Sequence, residues 1–233
     1  TRALILCSPS NPTGSVYSAT ELADLAEVLR RHEQVTVISD EIYEHINYVG
    51  AHASIAALPD MKERTVVING VSKAYAMTGW RIGFSAAPLA LAKAMNKLQG
   101  QYTSGPCSVS QMAAVAAFSG PQECVEEMRQ AFLRRKNLIV DLTRQIPGLE
   151  VNDPQGAFYL FPKCSSYFGK TDGKHVINSS SDLALYLLEE GHVATVGGDA
   201  FGSPECFRMS YATSDENIVE AIRRIKETLS RLK

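Results

Sequence analysis

The sequence is poor in the features that mark several large functional classes. Its five cysteines, Cys7, Cys107, Cys124, Cys164 and Cys206, are scattered and odd in number, with no CxxC pair. That excludes a disulfide framework and a thiolate zinc site, and it fits a reducing, cytoplasmic compartment. The five histidines have no metal-ligand spacing either, so no metal is expected. Lysine and arginine total 23 against 25 aspartates and glutamates, a formal net charge of −2. So balanced a chain has no broad basic field for nucleic acid. No apolar run approaches the roughly 18–20 residues that a membrane span needs. Internal repeats and low-complexity tracts are also missing. There is no initial Met, and Thr1-Arg2 leads at once into a strand-like run, so the chain is expected to be a fragment.

What is present is an alternation of strands and helices. Ala3–Cys7 is a continuous apolar run, as in a strand covered on both faces. Ser8-Pro-Ser-Asn-Pro-Thr-Gly14 is a dense turn signal. Ser18-Ala-Thr-Glu21 reads as a capping box, followed by Leu22, Leu25, Ala26 and Leu29 at helical spacing. Strands are expected at Val35–Ser39, Thr65–Asn69 and Trp80–Ala86. This alternation predicts a doubly wound, mostly parallel α/β layer.

From about residue 124 the character changes. A long helix is expected over Gln122–Gln145. Short strands follow at Leu149–Val151, Ala157–Phe161, Val193–Val196 and Cys206–Tyr211. A polar loop spans Lys163–Ser180, and Asp182–Glu190 reads as a helix ended by Gly191. The last helix starts from a capping box at Thr213-Ser-Asp-Glu216, with Ile218, Ala221, Ile222, Ile225, Leu229 and Leu232 as its apolar stripe. The reading is therefore two domains, residues 1–124 and 125–233, the second a smaller α+β domain.

In open α/β sheets, ligands sit beyond the C-terminal ends of the strands. Here three strands run into Asn11, into Asp40-Glu-Ile-Tyr43 and into Ser72-Lys73, with Arg81 eight residues further. A parallel sheet gathers these at one edge. Singly, each has an ordinary explanation as a turn, a cap or a solvated surface charge. Together they meet the four needs of pyridoxal 5'-phosphate: an amine for its aldehyde (Lys73), an anion for its pyridinium nitrogen (Asp40), donors for its ring oxygen (Asn11, Tyr43) and a cation for its phosphate (Arg81).

Gly70-Val-Ser-Lys73-Ala-Tyr-Ala-Met-Thr-Gly-Trp-Arg81-Ile-Gly83 resembles the lysine signature of the class I and II, fold-type I aminotransferases. Asn11-Pro-Thr-Gly14 and Asp40-Glu-Ile-Tyr43 are similar to the two motifs that precede it, in the same order. Gly156-Ala-Phe-Tyr159 and Phe207-Arg-Met-Ser-Tyr-Ala-Thr-Ser214 resemble the family's small-domain strands. The resemblance covers essentially the whole chain, matched to the C-terminal two-thirds of the family's length. It implies that Lys73 is the Schiff-base lysine and proton shuttle, that Asp40 pairs with the ring nitrogen, and that Tyr43 and Asn11 bond the ring oxygen. It further implies that Arg81, assisted by Ser72, binds phosphate and that Arg208 binds the substrate α-carboxylate with its guanidinium fork. Gly197 stands where relatives commonly carry proline, which is expected to loosen that loop. The segment Gln101–Val109 has no basic residue, although some aspartate aminotransferases carry there the arginine that reads the second carboxylate.

What the resemblance implies overall is an aminotransferase that moves an amino group from an amino acid, aspartate above all, to a 2-oxo acid such as 2-oxoglutarate, as a homodimer. The family's glycine-rich phosphate loop, ring-stacking aromatic and N-terminal arm are not in the sequence, so the chain alone is expected to be inactive. Two rivals share the motifs: a lyase or synthase on the same fold, and an effector-sensing domain of a regulator.

Overall fold

The computed structural model describes residues 1–233 and resolves them into two compact units. The first comprises Thr1–Ser10 and Ser15–Arg129; the second comprises Asn11–Gly14 and Gln130–Lys233.

The first unit is built on a four-stranded sheet in the order β1-β2-β3-β4, with β1 Ala3–Cys7, β2 Thr36–Asp40, β3 Thr65–Gly70 and β4 Gly83–Ala86. β1, β2 and β3 are parallel, while β4 runs antiparallel to β3. The expected mostly parallel α/β layer is therefore what forms. The register pairs Cys7 with Asp40 and Asp40 with Ile68, so the strand ends lie level at one edge. Helix α1, Ala19–Arg30, starts at the expected capping box. Ser18 Oγ accepts from the Glu21 amide at 3.2 Å and Glu21 Oε2 accepts from the Ser18 amide at 2.8 Å. Such a cap contributes about 1 kcal/mol. Its buried face, Leu22, Ala26 and Leu29, packs with Leu6, Val35, Val37, Ile55 and Met61 into the core. Arg64 ties this layer together by donating to the carbonyls of Leu29 at 2.8 Å and Val35 at 3.0 Å.

In this chain β1 pairs only with β2, and Ile5 is 73% exposed. The strand expected from Trp80 begins at Gly83, because Thr78–Trp80 forms a 3-10 turn and Arg81 takes a left-handed conformation at φ 54°. Helix α2, Leu89–Tyr102, was not anticipated, and none of its residues is buried. α3 spans Ser108–Ser119 as expected, and α4 spans Glu123–Thr143.

In the second unit a three-stranded antiparallel sheet has the order β5-β7-β6, with β5 Tyr159–Leu160, β6 Val196–Gly197 and β7 Phe207–Ser210. Helix α5, Ser180–Gly191, packs against β6 and β7, and α6, Asp215–Leu229, packs against α5. The α6 stripe is buried at Ile218, Ile222, Ile225 and Leu229, each such side chain contributing about 1.5–3 kcal/mol. Its cap is Ser214, which accepts from the Asn217 amide, and not Thr213. α5 ends one residue later than expected, with His192 in the left-handed conformation. The strand expected at Leu149–Val151 reduces to a bridge between Glu150 and Lys163. Gly197 sits in extended backbone, and the next amide, Gly198, donates to Cys206 O at 2.8 Å and Ser180 Oγ at 3.0 Å, so this loop is pinned rather than loosened. No helix of the chain is long and apolar enough to cross a membrane.

Candidate active site

Asp40 closes β2 at the level edge of the first sheet, half-buried, and its Oδ1 accepts from the Ile42 amide at 3.2 Å. Ser72 and Lys73 follow β3 directly. The turn that carries them is fixed by its own backbone. Tyr75 N donates to Val71 O, Ala76 N donates to Lys73 O, and Thr78 Oγ1 donates to Ser72 O at 3.0 Å. Arg81 is set at the end of this turn by donating from Nη1 to Thr78 O at 3.0 Å. Close approach of β3 to β4 requires glycine at Gly70, since a Cβ there would lie 2.9 Å from Gly83 Cα.

These elements line an open, shallow pocket of about 300 Å³ bordered by Asp40, Ile42, Asn69, Ser72, Arg81 and Gly83, among others. Three of the seven expected site residues, Asp40, Ser72 and Arg81, thus meet in one cavity. Lys73 and Tyr43 are not in its lining but lie together, the Lys73 Nζ 5.6 Å from the centre of the buried Tyr43 ring.

The remaining two, Asn11 and Arg208, belong to the second unit, where they meet. Arg208 Nη1 donates to Asn11 Oδ1 at 2.8 Å. The Arg208 guanidinium carbon lies 4.6 Å from the Tyr159 ring centre and 4.8 Å from that of Phe201. Two aromatic faces thus hold the fork by cation–π attraction, worth roughly 0.5–2 kcal/mol apiece. Asn11 is placed by Gly14, whose carbonyl accepts from the amides of Gln155 and Gly156 at 2.8 and 2.9 Å. Gly14 has φ +69°, and a Cβ there would lie 2.6 Å from Pro154 Cβ, so only glycine fits.

Several residues escaped the sequence reading. Tyr159 and Phe201 stand inside quoted segments, yet the first reaches Arg208 through β5 pairing with β7 and the second through the turn after β6, which spacing does not reveal. Glu41 is buried beside Asp40, bound by Ser39 Oγ at 2.9 Å, Ser54 Oγ at 2.6 Å and His52 Nε2 at 2.9 Å. Burial pushes its pKa up, but the bonds from His52, Ser54 and Ser39 outweigh this and hold it below the ordinary carboxylate value. Glu44 is also held low, first by its bond to His45, and His45 is correspondingly raised.

The model of the family described as aminotransferase class I and II matches residues 1–225; members of that family use pyridoxal phosphate. A bifunctional aspartate aminotransferase and glutamate/aspartate-prephenate aminotransferase of Petunia hybrida is 50% identical over 237 residues, covering 100% of this chain and 50% of that protein. The aspartate aminotransferase of Geobacillus stearothermophilus is 51% identical over 227 residues, covering 97% and 56% respectively. Among solved structures, the aspartate aminotransferase from Rhizobium meliloti superposes with a TM-score of 0.94 at 47% identity, covering 100% of this chain and 59% of that one. The chain thus spans between half and three-fifths of the length of these relatives.

Proposed function

The chain belongs to the class I and II aminotransferase family, and from that premise we propose that the protein carrying it is a pyridoxal-phosphate-dependent enzyme moving an amino group between an amino acid, aspartate foremost, and a 2-oxo acid such as 2-oxoglutarate. The observation that carries the reading is the 300 Å³ pocket that unites Asp40, Ser72 and Arg81, with Lys73 next in the chain after Ser72. A carboxylate, a hydroxyl and a guanidinium in one small cavity, flanked by an amine and a phenol, fit a phosphorylated pyridine aldehyde. When bound, that group supplies an aldehyde to capture amines and a protonated ring that accepts the electron pair of the substrate α-carbon.

The chain's own residues divide the remaining work. Asp40 holds the ring nitrogen protonated. Arg81 and the Ser72 hydroxyl bind phosphate, which suits a planar, permanently charged fork. Lys73 Nζ would hold the aldehyde carbon, and as a free amine it would serve as the base for the proton at the substrate α-carbon. Tyr43 and Asn11 donate to the ring oxygen. Arg208 receives the α-carboxylate; its faces are covered by Tyr159 and Phe201, which leaves N–H groups at its edge for two parallel hydrogen bonds.

The first unit is read as the cofactor-binding part of the large domain and the second as the small domain. Aspartate as substrate is supported by the names of the Geobacillus and Rhizobium relatives. Since Gln101–Val109 carries no basic residue, any second carboxylate is read elsewhere. A homodimer is proposed, its contacts drawn from the exposed apolar side chains of α2 and α3. The five cysteines form no disulfide, which supports a cytoplasmic setting.

The test is the half-reaction. The cofactor-loaded full-length protein receives aspartate alone. Formation of one pyridoxamine phosphate per site, with oxaloacetate released, is the expected result. Product release with the cofactor left as the aldehyde would instead identify a lyase.

A further inference from the structure

We propose that Glu41 is a positioning residue, an anchored hinge that sets Asp40 and Tyr43 against the cofactor at the same time; the inference rests on the roles given above to those two residues. Strand alternation points adjacent side chains to opposite faces, so Asp40 faces the pocket while Glu41 turns inward, where it is 4% exposed. Asp40 has little of its own to fix it. Its carboxylate has a single bond, from the Ile42 amide, and the residues after it leave the strand.

Glu41, in contrast, is held at every polar group. Its amide donates to Ile68 O at 2.9 Å, extending the ladder with β3 by one residue. Its carbonyl accepts from Glu44 N at 2.9 Å and so opens the turn that carries Tyr43, whose own carbonyl accepts from Ile46 N at 2.8 Å. The side chain is clamped by Ser39 from β2 and by His52 and Ser54 from the following loop. That loop is itself fixed: Ser54 Oγ accepts from Ala56 N, and Ile55 is fully buried in the core. The carboxylate of Glu41 thus ties the backbone between Asp40 and Tyr43 to the core of the unit.

A glutamate that served folding alone would satisfy the same bonds, so the test reads the cofactor directly. Glu41→Gln, Ser54→Ala and Asp40→Asn are prepared in the full-length protein loaded with pyridoxal phosphate. The measurements are the rate of cofactor loss on dilution, the induced circular dichroism of the bound cofactor's visible band, and the melting temperature of the cofactor-free form. Glu41→Gln is expected to lose cofactor about tenfold faster, the scale of one charge-assisted hydrogen bond, and to weaken the dichroism per bound cofactor. Ser54→Ala, which removes one anchor and no charge, shifts both in the same direction by less. If both variants keep wild-type dichroism and loss rate, the proposal is overturned, whatever happens to the melting temperature. If Glu41→Gln does not fold, Ser54→Ala decides alone. Asp40→Asn separates the two levels: should it also leave cofactor loss and dichroism unchanged, the role of Asp40 itself fails and the hinge with it.

Discussion

The two units of this chain solve the burial problem differently. In the second, α6 turns a full stripe of Ile218, Ile222, Ile225 and Leu229 inward, and α5 buries Leu183, Tyr186 and Leu187. Most of its large apolar side chains are buried by its own elements, with Val176, Leu185, Leu188, Val196 and Val219 left exposed. In the first, α1 and the three parallel strands build a core, but β4 is exposed along its length and α2 buries nothing. Leu89, Leu98, Tyr102, Val109 and Met112 all stand in solvent. Apolar surface on that scale marks an interaction face. Yet this more open unit holds Lys73, Asp40 and Arg81. In that unit Asp40, Lys73 and Arg81 are held by strand ends and short turns whose hydrogen bonds are local.

That contrast can be broken by mutation. The largest effect is expected in the closed unit: Phe207→Ala empties a fully buried site beside Arg208 and should cost about 3–5 kcal/mol in chemical denaturation. Leu98→Ala on α2 should stay within about 0.5 kcal/mol in the same assay. Equal losses would erase the distinction.

Asp40→Asn sharpens it from the other side. A neutral amide does not keep the ring nitrogen protonated, and loss of a charged partner costs about 2–5 kcal/mol, or roughly 30- to 5,000-fold in turnover at about 1.4 kcal/mol per decade. Denaturation of the variant should be close to wild type, since Asp40 is only half-buried and its side chain makes one bond. Near-normal turnover would reduce Asp40 to a cap.

Arg208→Lys keeps the charge and loses the fork. Substrate affinity should weaken by about 1.5–3 kcal/mol for amino and oxo acids alike, while cofactor retention is unchanged, because the lysine signature lies in the other unit. A fall in cofactor retention with intact substrate affinity would reverse the assignment.

The smallest effect is chemical. Cys107 stands exposed at the N-terminal end of α3, where the nearby Ser110 and Val109 amides lower its pKa. Burial pushes Cys164, in the second unit, up to about 12. At pH 8 an alkylating reagent should therefore modify Cys107 first and Cys164 last, as followed by peptide mass. The opposite order would contradict the picture of one open and one closed unit.

Much of this was legible in the residues. Continuous apolar runs and the Ser18 box gave β1 and α1, and strand ends carrying Asp40 and Ser72-Lys73 gave the pocket. Helix α2 was missed although Leu91, Met95, Leu98 and Tyr102 recur at helical spacing, because no cap signal marks its start at Pro88. Leu149–Val151 was misread because only Glu150 finds a strand partner. The clamp on Glu41 and the stacking on Arg208 were out of reach for another reason: both join residues by long-range pairing, Glu41 with Ser54 and Arg208 with Tyr159. A single sequence without its register does not display such contacts.

The central claim is that Lys73 is the lysine that holds the cofactor. Borohydride reduction of the full-length protein loaded with pyridoxal phosphate fixes the cofactor covalently to its amine, and peptide mapping locates it. The account predicts one label per chain, on Lys73, with no label on Lys93 or Lys97 and none at all in Lys73→Ala. A label on any other lysine, or full labelling of Lys73→Ala, would contradict it.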